Sequence, residues 1–298
     1  MSGISTNRTN INPPAEVAQE ILQKAQGASA VMRLARQMPL PGRGAQISVI
    51  TSDPSAAWVS ETAEKPVSNP GLSTKTMTAY KLAVIAPFSR EFLRDLRALY
   101  NALIARLPGA LAQKFDQTVV GAVEAPGENF DSLGSCTSQS LVAAGSHTAY
   151  KGLVAAYGDI ADHNGSLNGF ALSPSAFGLL LGAVDSSGRP IFLPSANDGD
   201  INRVLGRQAI EARGCYKSGT SGTSGTPAVV GIAGDWTQAL YGLVNGVELS
   251  YTEEASLTIA SEQVNLWQRN MVAVRAEIEV GFRADTACFN LLTGATPS

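Results

Sequence analysis

Asp162-His163 is the pair in this sequence best placed for proton chemistry, a carboxylate beside an imidazole that it could orient as a general base. The surrounding pattern is that of a helix end, where a histidine gains from the helix dipole without doing any chemistry. The second histidine, His147, has no visible partner, and two histidines alone do not furnish a metal site. Cys136, Cys215 and Cys288 are odd in number and share no short spacing. They read as small buried residues, not as a disulfide framework or a CxxC site. Asn197-Asp198-Gly199-Asp200 lacks the downstream glutamate of a calcium loop and reads as a turn. Phosphate loops, nucleophile elbows and HExxH pairs are absent from the sequence. A hydrolase using Asp162 and His163 is the remaining enzyme reading. Neither a cofactor nor a metal is expected.

Binding chemistry is more visible. Arg90, Arg94 and Arg97 recur at helical spacing. They read either as a stripe facing nucleic-acid phosphates or as a solvated face partly neutralised by Glu91 and Asp95. The whole chain carries 22 basic against 25 acidic side chains, net −3, so no global field draws it to nucleic acid or to a membrane. Only 16% of its residues are charged, against about 25% in typical soluble domains. A surface with so few charges is expected to be hidden against partners. The 298 residues contain no run near the roughly 18 apolar residues of a membrane span. Met1 to Asn12 is polar, without the apolar core of a secretory signal.

The elements that must carry these residues begin with a basic, proline-broken arm over residues 1–45, with one helical candidate, Ala15 to Gln26. Its narrow apolar stripe of Val17, Ala18, Ile21 and Leu22 needs a neighbour to be ordered. Residues 46–86 read as β: Ile47 to Thr51, Trp58 to Thr62, and Thr74 to Ile85 around the turn cluster Glu64 to Gly71. A hairpin that long with so little to bury is unstable alone and must lie on another surface. Ser89 reads as the N-cap of a helix whose Leu93, Leu96, Tyr100, Leu103 and Leu107 share one face. Pro108-Gly109 is expected to kink or break it, with Leu111, Phe115 and Val119 continuing the stripe.

Further on, a helix is expected from about Thr148 to Asp162, with Leu153, Tyr157 and Ile160 inward. Phe170 to Leu172 reads as a buried strand, and Ser173-Pro174 as the start of the helix carrying Phe177, Leu180 and Leu181. The repeated Ser-Gly-Thr of Ser218 to Thr226 reads as a flexible loop, and Ala228 to Ala233 as a strand. Leu240 to Val244, Asn245-Gly246, then Val247, Leu249 and Tyr251 is the strongest hairpin signal. Val272 to Phe282 alternates apolar residues with Arg275, Glu277 and Glu279, the mark of a long strand. The mixed order of elements gives the fold class as α+β.

Several short segments, in their order and spacing over residues 57–292, resemble the major capsid protein family of tailed bacteriophages, the HK-ninety-seven fold. They are Ala57-Trp58-Val59-Ser60-Glu61, Glu64-Lys65-Pro66, and Lys81 to Pro87 running into Phe88-Ser89-Arg90-Glu91. Gly169 to Pro174, Gly234-Asp235-Trp236-Thr237-Gln238-Ala239 and Asn265-Leu266-Trp267 through Glu277 complete the set.

The resemblance implies an N-terminal arm over residues 1–45 and an extended hairpin loop over 46–86 that lies on a neighbouring subunit. It implies a peripheral domain with a spine helix over 87–145, an axial domain over 146–261 with Ser218 to Thr226 as an axial loop, and a return to the peripheral domain over 262–298. The implied function is a head protein forming pentamers and hexamers in an icosahedral shell around double-stranded DNA. The implied partners are copies of itself, a separate scaffold, portal and decoration proteins, and DNA held without sequence preference. Trp58, Glu61, Lys65, Lys75 and Asn265 are the interface candidates, and Arg90, Arg94 and Arg97 the DNA-facing ones. Some relatives join subunits by lysine–asparagine isopeptide bonds, for which Lys65 or Lys75 and Asn265 are the matching positions. The polar surroundings of Lys65 do not favour the deprotonated amine, so non-covalent assembly is expected. Some members also carry a long helical scaffold-like segment before the arm, and no such block precedes the hairpin here, so assembly is expected to rely on a separate scaffold or on none. The same-fold alternative is an encapsulin-like compartment that packages a protein cargo.

Overall fold

The computed structural model describes residues 15–42, 44–52, 56, 58–60, 64–65, 67, 71–91, 96–142, 148–184, 187–192, 203–222, 225–259 and 262–296. Its first helices are α1 (Ala15–Ala28) and α2 (Ala30–Leu34), followed by β1 (Arg36–Pro39). The hairpin strands β2 (Ala45–Ser52) and β3 (Gly71–Met77) come next, then β4 (Tyr80–Ser89) and the long helix α3 (Leu96–Val120). After β5 (Thr137–Ser140) come α4 (Ala149–Asp162), β6 (Gly169–Leu172) and α5 (Pro174–Leu181). The strands β7 (Arg203–Val204), β8 (Arg207–Glu211), β9 (Val229–Gly234), β10 (Ala239–Leu243), β11 (Glu248–Thr252), β12 (Ser256–Ile259) and β13 (Glu262–Asn265) lead to β14 (Met271–Ala284) and β15 (Phe289–Thr293).

Two sheets organise the chain. In the first, β14 is the axis: β4 pairs along one side of it from Met271↔Ser89 to Val280↔Tyr80, while β10 and β11 pair with its other side. β1 closes that side by pairing parallel with β10. In the second, the order is β5-β15-β9-β6-β8-β7. Its middle strands β15, β9 and β6 are buried at every position, so a helix layer must cover each face. Phe170, Leu172, Val230, Ala233 and Leu292 pack with α4 and α5, whereas Ala171, Ile232, Phe289 and Leu291 join the larger core under α2 and α3. The two sheets are stitched twice. Asp235 N–H donates to Cys288 O at 3.0 Å and Asp285 N–H to Gln238 O at 3.2 Å, and each aspartate caps the short 3-10 turn that crosses between sheets.

Several sequence expectations change. The helical candidate of the arm is α1, and it packs on its own chain: Ile21, Ala25, Ala30 and Val31 are buried, and α1 lies along α3. The neighbour its narrow stripe required is the chain's own long helix. Ser89 ends β4, which pairs with β14 as far as Met271, and its Oγ accepts from Glu91 N–H at 3.4 Å, so the cap serves the short turn that follows the strand. Residues 92–95, where the expected first turn falls, lie outside the described residues. Pro108 sits inside α3 without ending it. The backbone bond it forfeits, about 3 kcal/mol in an isolated helix, is offset by burial of Leu103, Leu107, Leu111 and Phe115 on either side. Asn245-Gly246 does not close a hairpin. β10 and β11 run end to end along β14, and the interval from Leu243↔Val280 to Glu248↔Glu277 makes that segment a bulge. β10 and β11 belong to the first sheet, while β5 and β15 belong to the second. Tyr157 is 48% exposed, not inward. Ser218 to Thr226 is closed on itself where described, Thr220 N–H donating to Thr226 O at 3.0 Å and Thr226 N–H to Thr220 Oγ1 at 2.9 Å.

Candidate assembly interface

The hairpin leaves the body through a built root. Met77 is the buried residue there, and it fits because Gly242 and Gly281 face it: a Cβ on either would lie within 2.8 Å of its side chain. Arg283 sits beside it, Nε donating to Thr76 O at 2.7 Å, Nη1 to Asp131 Oδ1 at 2.7 Å and Nη2 to Asn129 Oδ1 at 2.8 Å. The other Asp131 oxygen accepts from Ala284 N–H at 3.0 Å, and Lys75 Nζ donates to Ala284 O at 3.2 Å. Past this clamp the described side chains of β2 and β3 are exposed or half-buried, so the chain alone provides little to hold them.

Large apolar side chains stand in water at several places, two of them tryptophans. Trp58 is fully exposed and Val67 nearly so on the loop between β2 and β3, and Trp267 is 70% exposed in the turn between β13 and β14. Isolated exposed apolar residues are ordinary, but two indoles left uncovered are the side chains most rewarded by burial against a partner. Sequence reasoning selected Trp58 and passed over Trp267, whose signal was its place in the turn before a long strand. Asn265 lies two residues from it and accepts from Gln268 N–H at 3.2 Å. Lys65 is exposed, Lys75 is spent on the root, and neither bonds to Asn265 within the chain. Glu61 lies outside the described residues.

The arginine stripe is not assembled as one helix face in the described residues. Arg90 follows β4 and pairs with Glu253 at 3.6 Å. Arg94 lies outside the described residues, as does the side chain of Arg97. His163 caps α4 with its Nδ1 on Asp159 O at 2.8 Å, a main-chain contact and not a link to the Asp162 carboxylate. Burial pushes the Cys136 thiol up to about 12 and that of Cys288 to about 11, with Asp285 adding to both, and Cys215 shifts the same way. These are not nucleophiles. Asp116 is different: buried in α3, it accepts from Ser29 Oγ, Ala30 N–H and Val31 N–H, yet burial outweighs those bonds and raises its pKa to about 7. Its signal in the sequence was a carboxylate beside Phe115 on an otherwise apolar stripe. Among the described residues no three His, Cys, Asp or Glu side chains converge as a metal site, and no described helix is long and apolar enough to cross a membrane.

Comparison with known proteins decides what kind of surface this is. The sequence model of the phage capsid family matches residues 13–287. The chain belongs to the phage capsid family. It is 29% identical over 288 residues to a probable major capsid protein of Mycobacterium phage L5, across 91% of this chain and 85% of that one. Among solved structures, a chain of Mycobacterium phage Cain superposes with a TM-score of 0.69 at 18% identity, covering 91% of this chain and 92% of its own. A chain of Gordonia phage Cozz gives 0.68 at 23% identity, covering 90% and 87%. The α+β architecture is the HK-ninety-seven capsid fold. This capsid-family chain is a structural protein of the phage virion.

Proposed function

We propose that this chain is the major head subunit that assembles as pentamers and hexamers into an icosahedral shell around double-stranded DNA. The observation that carries the reading is the hairpin β2–β3, anchored by Arg283 and Asp131 and otherwise left without a surface of its own. A second copy supplies that surface: the hairpin lies across the neighbour, and Trp58 is covered there. The first sheet with α3 serves as the peripheral part and the second sheet with α4 and α5 as the axial part, with the Ser218 to Thr226 loop toward the ring axis. Association energy comes from burial of apolar and small side chains, at about 25 cal/mol per Å² of apolar surface. The chain acts without catalysis, and Lys65, Lys75 and Asn265 serve as non-covalent contacts. Assembly takes place in the host cytoplasm with a separate scaffold, a portal and decoration proteins as partners. DNA is held loosely, which fits a net charge of −3.

The test is nuclease protection. Particles produced in infected cells, treated with nuclease and then opened, are expected to release duplex DNA of uniform length. Particles that release only a co-packaged protein would replace the viral reading with that of a compartment.

A further inference from the structure

The second sheet has two unlike edges. At one, β8 is covered only by the two residues of β7, joined through a tight turn in which Leu205 and Gly206 both take positive φ, 50° and 74°. Beside this edge is a half-open groove of about 760 Å³, walled by Arg33 from α2, Arg203 from β7, Arg207 and Glu211 from β8, and Phe177 from α5. Three guanidiniums thus face one carboxylate. All three are exposed, and among the described residues none makes an ion pair, whereas Arg90, Arg275 and Arg283 are all paired. At the opposite edge, five strand spacings away or about 24 Å, β5 is overlain by α4. The outward side of α4 carries Tyr150, Val154 and Tyr157, each 44–48% exposed, with Lys151 beside them. It ends in Asp159, which accepts from Asn290 Nδ2 at 2.8 Å, and the exposed Asp162, so two carboxylates outweigh one ammonium.

We infer that these two edges bind each other between copies: the arginine groove of one subunit receives the α4 edge, with Asp162 and its aromatic stripe, of the next. A ring of identical subunits needs a heterologous contact, made by two different patches on opposite sides of the same chain. The arginine edge and the acidic, aromatic edge are opposite in charge and lie across one rigid sheet, the arrangement that lets each copy use both at once. The inference rests on the shell reading and names the faces that set the order of subunits around the ring.

Charge reversal tests it. R203E/R207E and D162R alter exposed side chains, so each purified variant is expected to keep the wild-type melting temperature. Each alone is expected to lower the yield of rings, read by analytical ultracentrifugation, by tenfold or more. R203E/R207E/D162R in one chain restores opposite charges at every contact and is expected to recover most of that yield. Singles that assemble as wild type, or a combined variant no better than the singles, would overturn the inference while wild-type rings leave the shell reading standing. Wild-type protein forming neither rings nor shells when the phage's scaffold is supplied would instead sink the shell reading itself. Addition of a 20-base-pair DNA duplex is the control for the other polyanion: tight binding lost in R203E/R207E, with ring yield unchanged, would reassign the groove to phosphate.

Discussion

Ser29 Oγ donates to Asp116 Oδ1 at 2.5 Å, so the first turn of α2 is fixed to the C-terminal part of α3 through a carboxylate with no solvent exposure. The same carboxylate accepts from the free N–H groups of Ala30 and Val31, and Ser29 in turn accepts from Met32 N–H. One aspartate thus satisfies the start of a helix and joins the N-terminal segment to the core.

This joint makes stability depend on pH. The Asp116 carboxyl titrates near 7 in the folded chain and near 3.9 in the unfolded one. Below about pH 4 both states hold the proton, and above about 7 neither does. Between them only the folded state holds it, so this group makes stability fall as pH rises from about 4 to about 7 and level off above. Thermal unfolding at pH 5 and 8 is expected to show the higher midpoint at pH 5, with D116N reducing the difference. An unchanged difference in D116N would remove Asp116 as its cause. S29A, which loses both a cap and a bond to the carboxylate, is expected to cost about 1–2 kcal/mol in denaturant unfolding.

At the hairpin root, M77A leaves a cavity where the side chain is fully buried and is expected to cost about 2–5 kcal/mol. G281A has the opposite fault, since its Cβ would lie 2.7 Å from Thr78 O and 2.8 Å from the Met77 side chain. A loss of about 1–3 kcal/mol is expected there, measured by the same unfolding curves. Equal stability of G281A and wild type would show that the root is looser than this fit requires.

W58A and W267A separate folding from assembly. Both side chains are mostly in water, so each replacement is expected to change monomer stability by less than about 0.5 kcal/mol. Particle yield by sedimentation is expected to fall at least several-fold in each. Particles formed at wild-type yield would remove the indole from the list of contacts.

The cross-link question reduces to mass. Lys75 is held by Ala284 O and Asp131, and neither it nor Lys65 contacts Asn265 in its own chain. Intact mass spectrometry of denatured particles is expected to show the monomer alone. A ladder of multimers, each short of the sum by one ammonia per link, would establish isopeptide bonds.

Elements whose own residues carry a period were legible in the sequence. Val272 to Phe282 alternates and is β14; Ser173-Pro174 caps α5; Leu103, Leu107, Leu111 and Phe115 line the buried side of α3. Where a distant strand decided, local signals failed. Asn245-Gly246 has the chemistry of a hairpin turn, but β14 is long enough to pair with the residues on both sides of it. Ser89 accepts from Glu91 N–H as a cap does, while the same strand extends β4 as far as Ser89 itself. The proposed interface was half legible. An under-filled hairpin announces the need for a partner, but the arginines of the groove lie at 33, 203 and 207, and only the folded chain brings them together.

Negative-stain electron microscopy of the purified full-length chain at high concentration, with particle size from light scattering, tests the shell reading most directly. Closed shells of uniform diameter, or uniform five- and six-membered rings, are the predicted result. A monodisperse monomer that stays monomeric when the phage's scaffold is supplied would contradict it.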